Sequence, residues 1–213
     1  MHLRELYEEL LRAYGPQHWW PAETPFEVVV GAILTQNTAW RNVEKAISNL
    51  KREGLLDPDS ILRASPDVLR ELIRPVGFYN QKLQRLLDVC RLIKRYGGLE
   101  NLFSLPMEEL RRTLLSVKGI GPETADAIIL YAANKPTFVV DRYTYRLFTR
   151  LGLWQGPYKY EALKRFVESQ IPPNVEVYKE FHALIDEHSK RVCCKKPHCH
   201  ACFLRERCPT AQH

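Results

Sequence analysis

Proline punctuation constrains this chain more than any other feature. Pro58, Pro66, Pro106 and Pro122 each stand just ahead of an apolar run with helical spacing, and a proline at the first helical position loses nothing because that N–H has no intrahelical partner. The spacing of Leu3, Tyr7, Leu10, Leu11 and Tyr14 predicts an amphipathic helix over residues 2–14, and Leu83, Leu86, Leu87, Cys90 and Ile93 predict another over 83–93. The valine run at 28–30 and the Phe-Val-Val run at 138–140 are short, do not alternate and adjoin helical patterns, so neither reads as a strand. The expected fold class is all-α, built of short helices joined by tight turns. No low-complexity tether or repeat interrupts the 213 residues, so helices cross any domain boundary and the N-terminal helix is free to pack with the C-terminal third.

A net charge of +6 draws a chain toward polyanions, because each phosphate neutralised by Lys or Arg releases condensed counterions. Basicity alone names no partner. Arg4 and Glu5 sit where a secretory leader needs its apolar block, and no stretch approaches the roughly 20 apolar residues of a membrane span. The expectation is a cytoplasmic protein with no membrane partner. Five of the six cysteines crowd between Cys193 and Cys208, while Cys90 stands alone in a helical apolar pattern; in a reducing compartment such a crowd suggests a metal site.

Val117-Lys118-Gly119-Ile120-Gly121-Pro122 lies between the apolar helical patterns of Leu110, Leu114, Leu115 and of Ala125, Ile128, Ile129, Ala132. Two glycines permit a tight turn with exposed N–H groups. A turn opening onto a helix N-terminus is a phosphate cradle, although an ordinary helix-turn-helix corner has the same pattern. Some twenty residues on comes Phe138-Val139-Val140-Asp141-Arg142-Tyr143.

With this pairing, the sequence resembles the endonuclease III, or helix-hairpin-helix, superfamily of DNA glycosylases, whose Gly-hydrophobic-Gly hairpin is followed by a Val-Asp catalytic aspartate. Leu34-Thr35-Gln36-Asn37-Thr38 looks like the loop that fills the gap left by a flipped base, and Gly77-Phe78-Tyr79-Asn80-Gln81-Lys82 like the family's wedge loop. The resemblance runs nearly end to end. It implies a six-helix barrel domain with the hairpin, expected at residues 25–133, and a terminal-helix domain with a cluster loop, expected at 1–24 and 134–213. The active site would lie in the cleft between them. The implied partner is double-stranded DNA carrying a damaged base, bound by a monomer that is nucleoid-associated while on DNA. Gln36, Phe78, Tyr79, Asn80, Lys118, Gly119, Ile120 and Gly121 would touch it.

The family's bifunctional members carry a lysine shortly after the hairpin, and Glu123 occupies that position here. A carboxylate cannot form a Schiff base, so the resemblance implies a monofunctional glycosylase using water. Asp141 would stabilise positive charge on the deoxyribose as the base leaves. Asp141 also suits a helix N-cap, and Glu123 suits the first turn of a helix dipole. Lys118 precedes the first hairpin glycine, where a phosphate contact or a solvated charge is expected. Trp19-Trp20-Pro21, the Leu34–Thr38 segment and the hairpin resemble most closely the 3-methyladenine branch, in which an acidic residue likewise replaces the lysine and tandem tryptophans line the base pocket. Trp19 and Trp20 would then face a cationic, π-deficient alkylated purine that is already a good leaving group; core packing is the other use of such rings. Two rival functions stay open, a bifunctional glycosylase and lyase acting on oxidised pyrimidines, and a non-catalytic DNA-binding module.

Cys193, Cys199, Cys202 and Cys208 form C-x5-C-x2-C-x5-C, and Cys194 offers a different first ligand. Four thiolates in so short a loop can ligate a [4Fe–4S] cluster, whereas the C-x2-C pair with His198 and His200 would suit Zn2+. The superfamily's usual motif has one more residue in the first gap, and the resemblance favours the cluster with Cys193. Either site would close a loop bearing Lys190, Arg191, Lys195, Lys196, Arg205 and Arg207, cations available to phosphates or simply to solvent.

Overall fold

The computed structural model describes residues 1–212, and among them every regular element is helical. The α-helices run in order α1 Leu3–Tyr14, α2 Pro25–Leu34, α3 Trp40–Arg52, α4 Pro58–Arg63, α5 Pro66–Ile73, α6 Tyr79–Arg95, α7 Leu99–Phe103, α8 Met107–Leu115, α9 Pro122–Ala127, α10 Arg142–Arg150, α11 Tyr160–Gln170 and α12 Val175–Arg191. Pro58, Pro66 and Pro122 open their helices as expected, and Pro25 does the same for α2. Pro106 sits one place earlier than expected, as the N-cap of α8 with an extended backbone. The helix expected at 83–93 begins at Tyr79. Its polar first turn hides that start from a pattern of apolar residues.

The chain divides into two compact units, residues 20–135 and residues 1–19 with 136–213, where the sequence placed the boundaries at 24/25 and 133/134. Trp20 therefore belongs with the central unit and Trp19 with the terminal one. The central unit holds α2–α9, with a π-helical turn, Ile128–Ala132, continuing α9. Its centre is α2, buried from Phe26 to Leu34. The valine run is helical because Pro25 fixes the first φ and the Thr24 side chain accepts from the Glu27 N–H at 3.1 Å. Glu27 is itself buried; its carboxylate accepts from the Glu23 N–H and pairs with Lys51 at 2.9 Å. The Trp20 ring lies across Gly31, where a Cβ would stand 3.1–3.4 Å from the indole, and meets Trp40 and Tyr131 edge-on.

The terminal unit joins α1 to α10–α12, with α1 and α10 both packed on α12. Phe181 on α12 is the hub of its core. It is fully buried and its ring meets Tyr7 of α1, Phe138 of the extended 138–140 run and Phe148 of α10. Replacing Phe181 by Ala deletes contacts to three separate segments and leaves a cavity. It is expected to lower stability by about 3–5 kcal/mol, read as a fall in the midpoint of urea or thermal unfolding.

Candidate functional site

The hairpin is held from behind. Arg111 of α8 grips Asp126 of α9 through two bonds, Nε to Oδ1 at 2.8 Å and Nη2 to Oδ2 at 3.1 Å, and the aspartate is fully buried. A bidentate guanidinium–carboxylate pair fixes direction as well as distance, so the two helices flanking the turn keep their angle. Gly119 has φ +87°, open to glycine without penalty. The N–H groups of Gly119 and Gly121 meet no backbone acceptor among the described residues, as an anion cradle requires. Lys118 and Glu123 are exposed. Ile120 was expected among the DNA contacts, but its side chain is buried at 4% exposure, so only its backbone is available to a ligand. It anchors the turn in the core.

Phe78 stands 67% exposed on a left-handed backbone, φ +45°. Below it, the buried Lys82 ammonium donates to the Val76 carbonyl at 2.9 Å. Burial, with the nearby Arg85 charge, pushes the Lys82 pKa down to about 8. Tyr79 begins α6, and exposed Asn80 accepts from Arg70 at 3.1 Å. Gln36, expected to enter the duplex, is engaged with the protein: its Nε2 donates to Thr124 Oγ1 at 2.8 Å and to the Gly119 carbonyl at 3.3 Å. Trp19 and Trp20 are both half-buried, and the Trp40–Trp20–Tyr131 ring cluster sits beside the π-helical turn.

Asp141 caps α10 and still presents a second oxygen. Its Oδ1 accepts from the Thr144 N–H at 2.7 Å and the Thr144 hydroxyl at 2.9 Å, while Oδ2 lies 3.3 Å from His182 Nε2 of α12. Burial works to raise the carboxyl pKa, but the His182 bond and charge and the two Thr144 donors outweigh it and hold it below the ordinary 3.8. The group is therefore an anion at neutral pH in a largely water-poor setting. One turn on from His182, Asp186 is raised by burial and by the Asp141 charge, and is bridged to Lys190 at 2.5 Å.

Cys193, Cys199, Cys202 and Cys208 all line one small, partly open cavity. Cys194 points elsewhere, its thiol donating to the Lys196 carbonyl at 2.9 Å. Among the described residues no group of three or more His, Cys, Asp and Glu side chains is placed to hold a single metal ion. The thiols do feel one another. Burial raises the Cys202 pKa, a backbone hydrogen bond from Leu204 works against it, and the nearness of Cys193, Cys208 and Cys199 raises it further. Four soft donors around a shared space fit a polynuclear thiolate-ligated group. His188 packs against this ring, with Nε2 3.8 Å from Cys202 Sγ and Nδ1 2.8 Å from the Tyr14 hydroxyl. Burial takes His188 down to about 4 and Tyr14 up to about 12. The neutral ring is thus bracketed by the Tyr14 hydroxyl at Nδ1 and the Cys202 sulfur at Nε2. Arg150 donates to the carbonyls of Cys193 and Cys194 at 3.1 and 2.7 Å and to Cys193 Sγ at 3.3 Å.

Residues 30–173 match the HhH-GPD superfamily of base excision DNA repair proteins. The chain belongs to that superfamily. A protein of Methanocaldococcus jannaschii, provisionally named a DNA repair glycosylase, is 51% identical over 207 residues, covering 96% of this chain and 94% of that protein. A crystal structure of the Helicobacter pylori 3-methyladenine DNA glycosylase bound to 1,N6-ethenoadenine superposes with a TM-score of 0.79 at 33% identity, covering 90% of this chain and 98% of that one. A trapped endonuclease III–DNA covalent intermediate gives a TM-score of 0.84 at 21% identity, covering 100% of this chain and 98% of that one, a likeness of fold. As a superfamily member the chain is a DNA glycosylase of the endonuclease III type with several cysteines near its C-terminus.

His182, Trp40 and Arg85 were not legible as site residues. Each is a lone polar or aromatic position inside a helical pattern, and only packing reveals its role. The depressed Asp141 pKa has a consequence for stability. Its contribution is present above the ordinary 3.8 and is lost as pH falls through the lower folded value. The stability gap between the native chain and Asp141→Asn is therefore expected to be full near about pH 7 and to close in acid below about pH 4. Urea titrations across that range check it, and a gap that widens in acid would contradict the assigned ionisation.

Proposed function

We propose that this chain is a monofunctional DNA glycosylase that binds double-stranded DNA as a monomer and hydrolyses the N-glycosidic bond of an extruded damaged base, an alkylated purine such as 3-methyladenine. The observation that carries the reading is the Asp141 carboxylate, kept ionised by His182 and Thr144 at the start of α10. A fixed anion in a low-dielectric setting stabilises the oxocarbenium-like charge that grows as the base departs. With Oδ1 holding both Thr144 donors, Oδ2, which keeps a lone pair beyond its His182 contact, is the oxygen to face the sugar or orient the attacking water.

The hydrolytic route is supported by Glu123, which stands in the first turn of α9 where the superfamily's lyases carry an amine nucleophile. The purine assignment is supported by the aromatic cluster and by the relative bound to 1,N6-ethenoadenine, a modified purine. An alkylated purine needs little acid catalysis, so a π-face for binding and an anion for the sugar suffice. Phe78, exposed on its turn, would enter the stack as the base swings out.

Asp141→Asn is expected to bind alkylated duplex with nearly unchanged affinity while base release falls about a hundredfold or more. Free base is measured by chromatography, and strand breaks are scored before and after alkali. Release at the native rate would overturn the role of Asp141. Breaks before alkali, or a borohydride-trapped protein–DNA adduct, would favour a lyase instead.

Cys193, Cys199, Cys202 and Cys208 would hold a [4Fe–4S] cluster, which when bound supplies iron–thiolate bonds that close the C-terminal loop. Elemental analysis is expected to give about four iron and four sulfide per chain rather than one zinc. Cys193→Ser is expected to lose most of the iron and Cys194→Ser to retain it. The reverse pattern would reassign the first ligand.

A further inference from the structure

Gln36 is held at both ends of its amide. While Nε2 reaches Thr124 and the Gly119 carbonyl, Oε1 accepts from Arg85 Nη1. Arg85 lies on α6, two turns beyond Phe78 and so on the same side of that helix. To reach Gln36 its stem passes over the hairpin. A Cβ built at Gly119 would stand 2.8 Å from Arg85 Cδ and 2.9 Å from Cγ, closer than carbon atoms tolerate. Glycine at 119 thus serves two ends, the φ of +87° and the passage of this arginine.

We propose that Arg85 is a positioning residue of the DNA-binding face, locking Gln36 to the hairpin so that the gap-filling loop, the wedge helix and the phosphate-gripping turn engage DNA as one piece. The proposal rests on the repair reading above. Without Arg85 the glutamine amide would lose its charged donor and its rotamer choice, and a loop that must order itself on DNA binds less well by the entropy of doing so. The guanidinium suits this work because its planar fork fixes direction, which a lysine ammonium does not.

The test is a double-mutant cycle on the full chain, using a duplex with a tetrahydrofuran abasic analogue opposite 2-aminopurine and an undamaged duplex of the same sequence. Arg85→Met and Gln36→Ala are each expected to reduce the preference for the abasic duplex about tenfold, the size of a lost hydrogen bond to a charged group. The pair together is expected to lose no more than either alone, because Arg85 acts through Gln36. The 2-aminopurine signal that reports insertion is expected to fall in step, with binding to undamaged duplex changed less than about threefold. Arg85→Lys, which keeps the charge and guards against a folding defect in Arg85→Met, is expected to resemble the loss variants.

Additive losses, full rescue by lysine, or an equal loss on both duplexes with a shallower salt dependence would overturn the proposal, the last by making Arg85 an ordinary phosphate contact. A native chain with no preference for the abasic duplex would overturn the repair reading, and this proposal with it. A native preference that survives every Arg85 variant would sink the proposal alone.

Discussion

An ionised carboxylate removed from water is the constraint on which this protein depends. Burial opposes the charge on Asp141, and three donors from two helices reverse the balance. That arrangement exists only while α10 and α12 hold their register. Phe181, the residue before His182 on α12, packs against Phe148 of α10 and Phe138 of the extended run leading into Asp141. The aromatic core of the terminal unit therefore sets the spacing between Asp141 and the imidazole, and packing and charge become one problem.

The all-helical fold was legible because its cues are local: helical spacing of leucines, prolines at first turns, glycines at corners. Asp141 was legible as a cap for a similar reason, since an acidic residue ahead of a patterned run reads as one, and the family resemblance singled it out further. His182 was not, because an imidazole among alternating polar and apolar residues of α12 looks like a solvated position until α10 is brought against it. Trp40 and Tyr131 were missed on the same ground. They become a ring cluster with Trp20 only when α2, α3 and the π-helical turn converge. Ile120 shows how side chain and backbone part company at one position. Its place between the two hairpin glycines suggested a shared role, and its apolar side chain followed the hydrophobic effect into the core, leaving the backbone for the turn.

The cysteine loop shows what spacing leaves open. Neither Cys193 nor Cys194 gives the superfamily's usual first gap, although Cys193 comes nearer, and side-chain direction separates them, one lining the shared cavity and the other turned to a carbonyl. The loop is also fastened by the protein itself. Arg146 and Arg150 of α10 reach the Cys193 carbonyl, and Arg207 reaches Glu5 and Glu9 of α1. Both ends of the chain thus meet around the thiols, and the Tyr14–His188 pair adds a buried polar link from α1 to Cys202.

The left-handed turn at Phe78 carries an evolutionary tension. A non-glycine residue there forfeits about 1–2 kcal/mol, which Gly or Asn would largely recover. Selection for a hardier fold and selection for a protruding ring consequently pull this one codon in opposite directions. Under the proposed wedge role, a population freed from opening a duplex would be expected to drift toward the smaller side chain first.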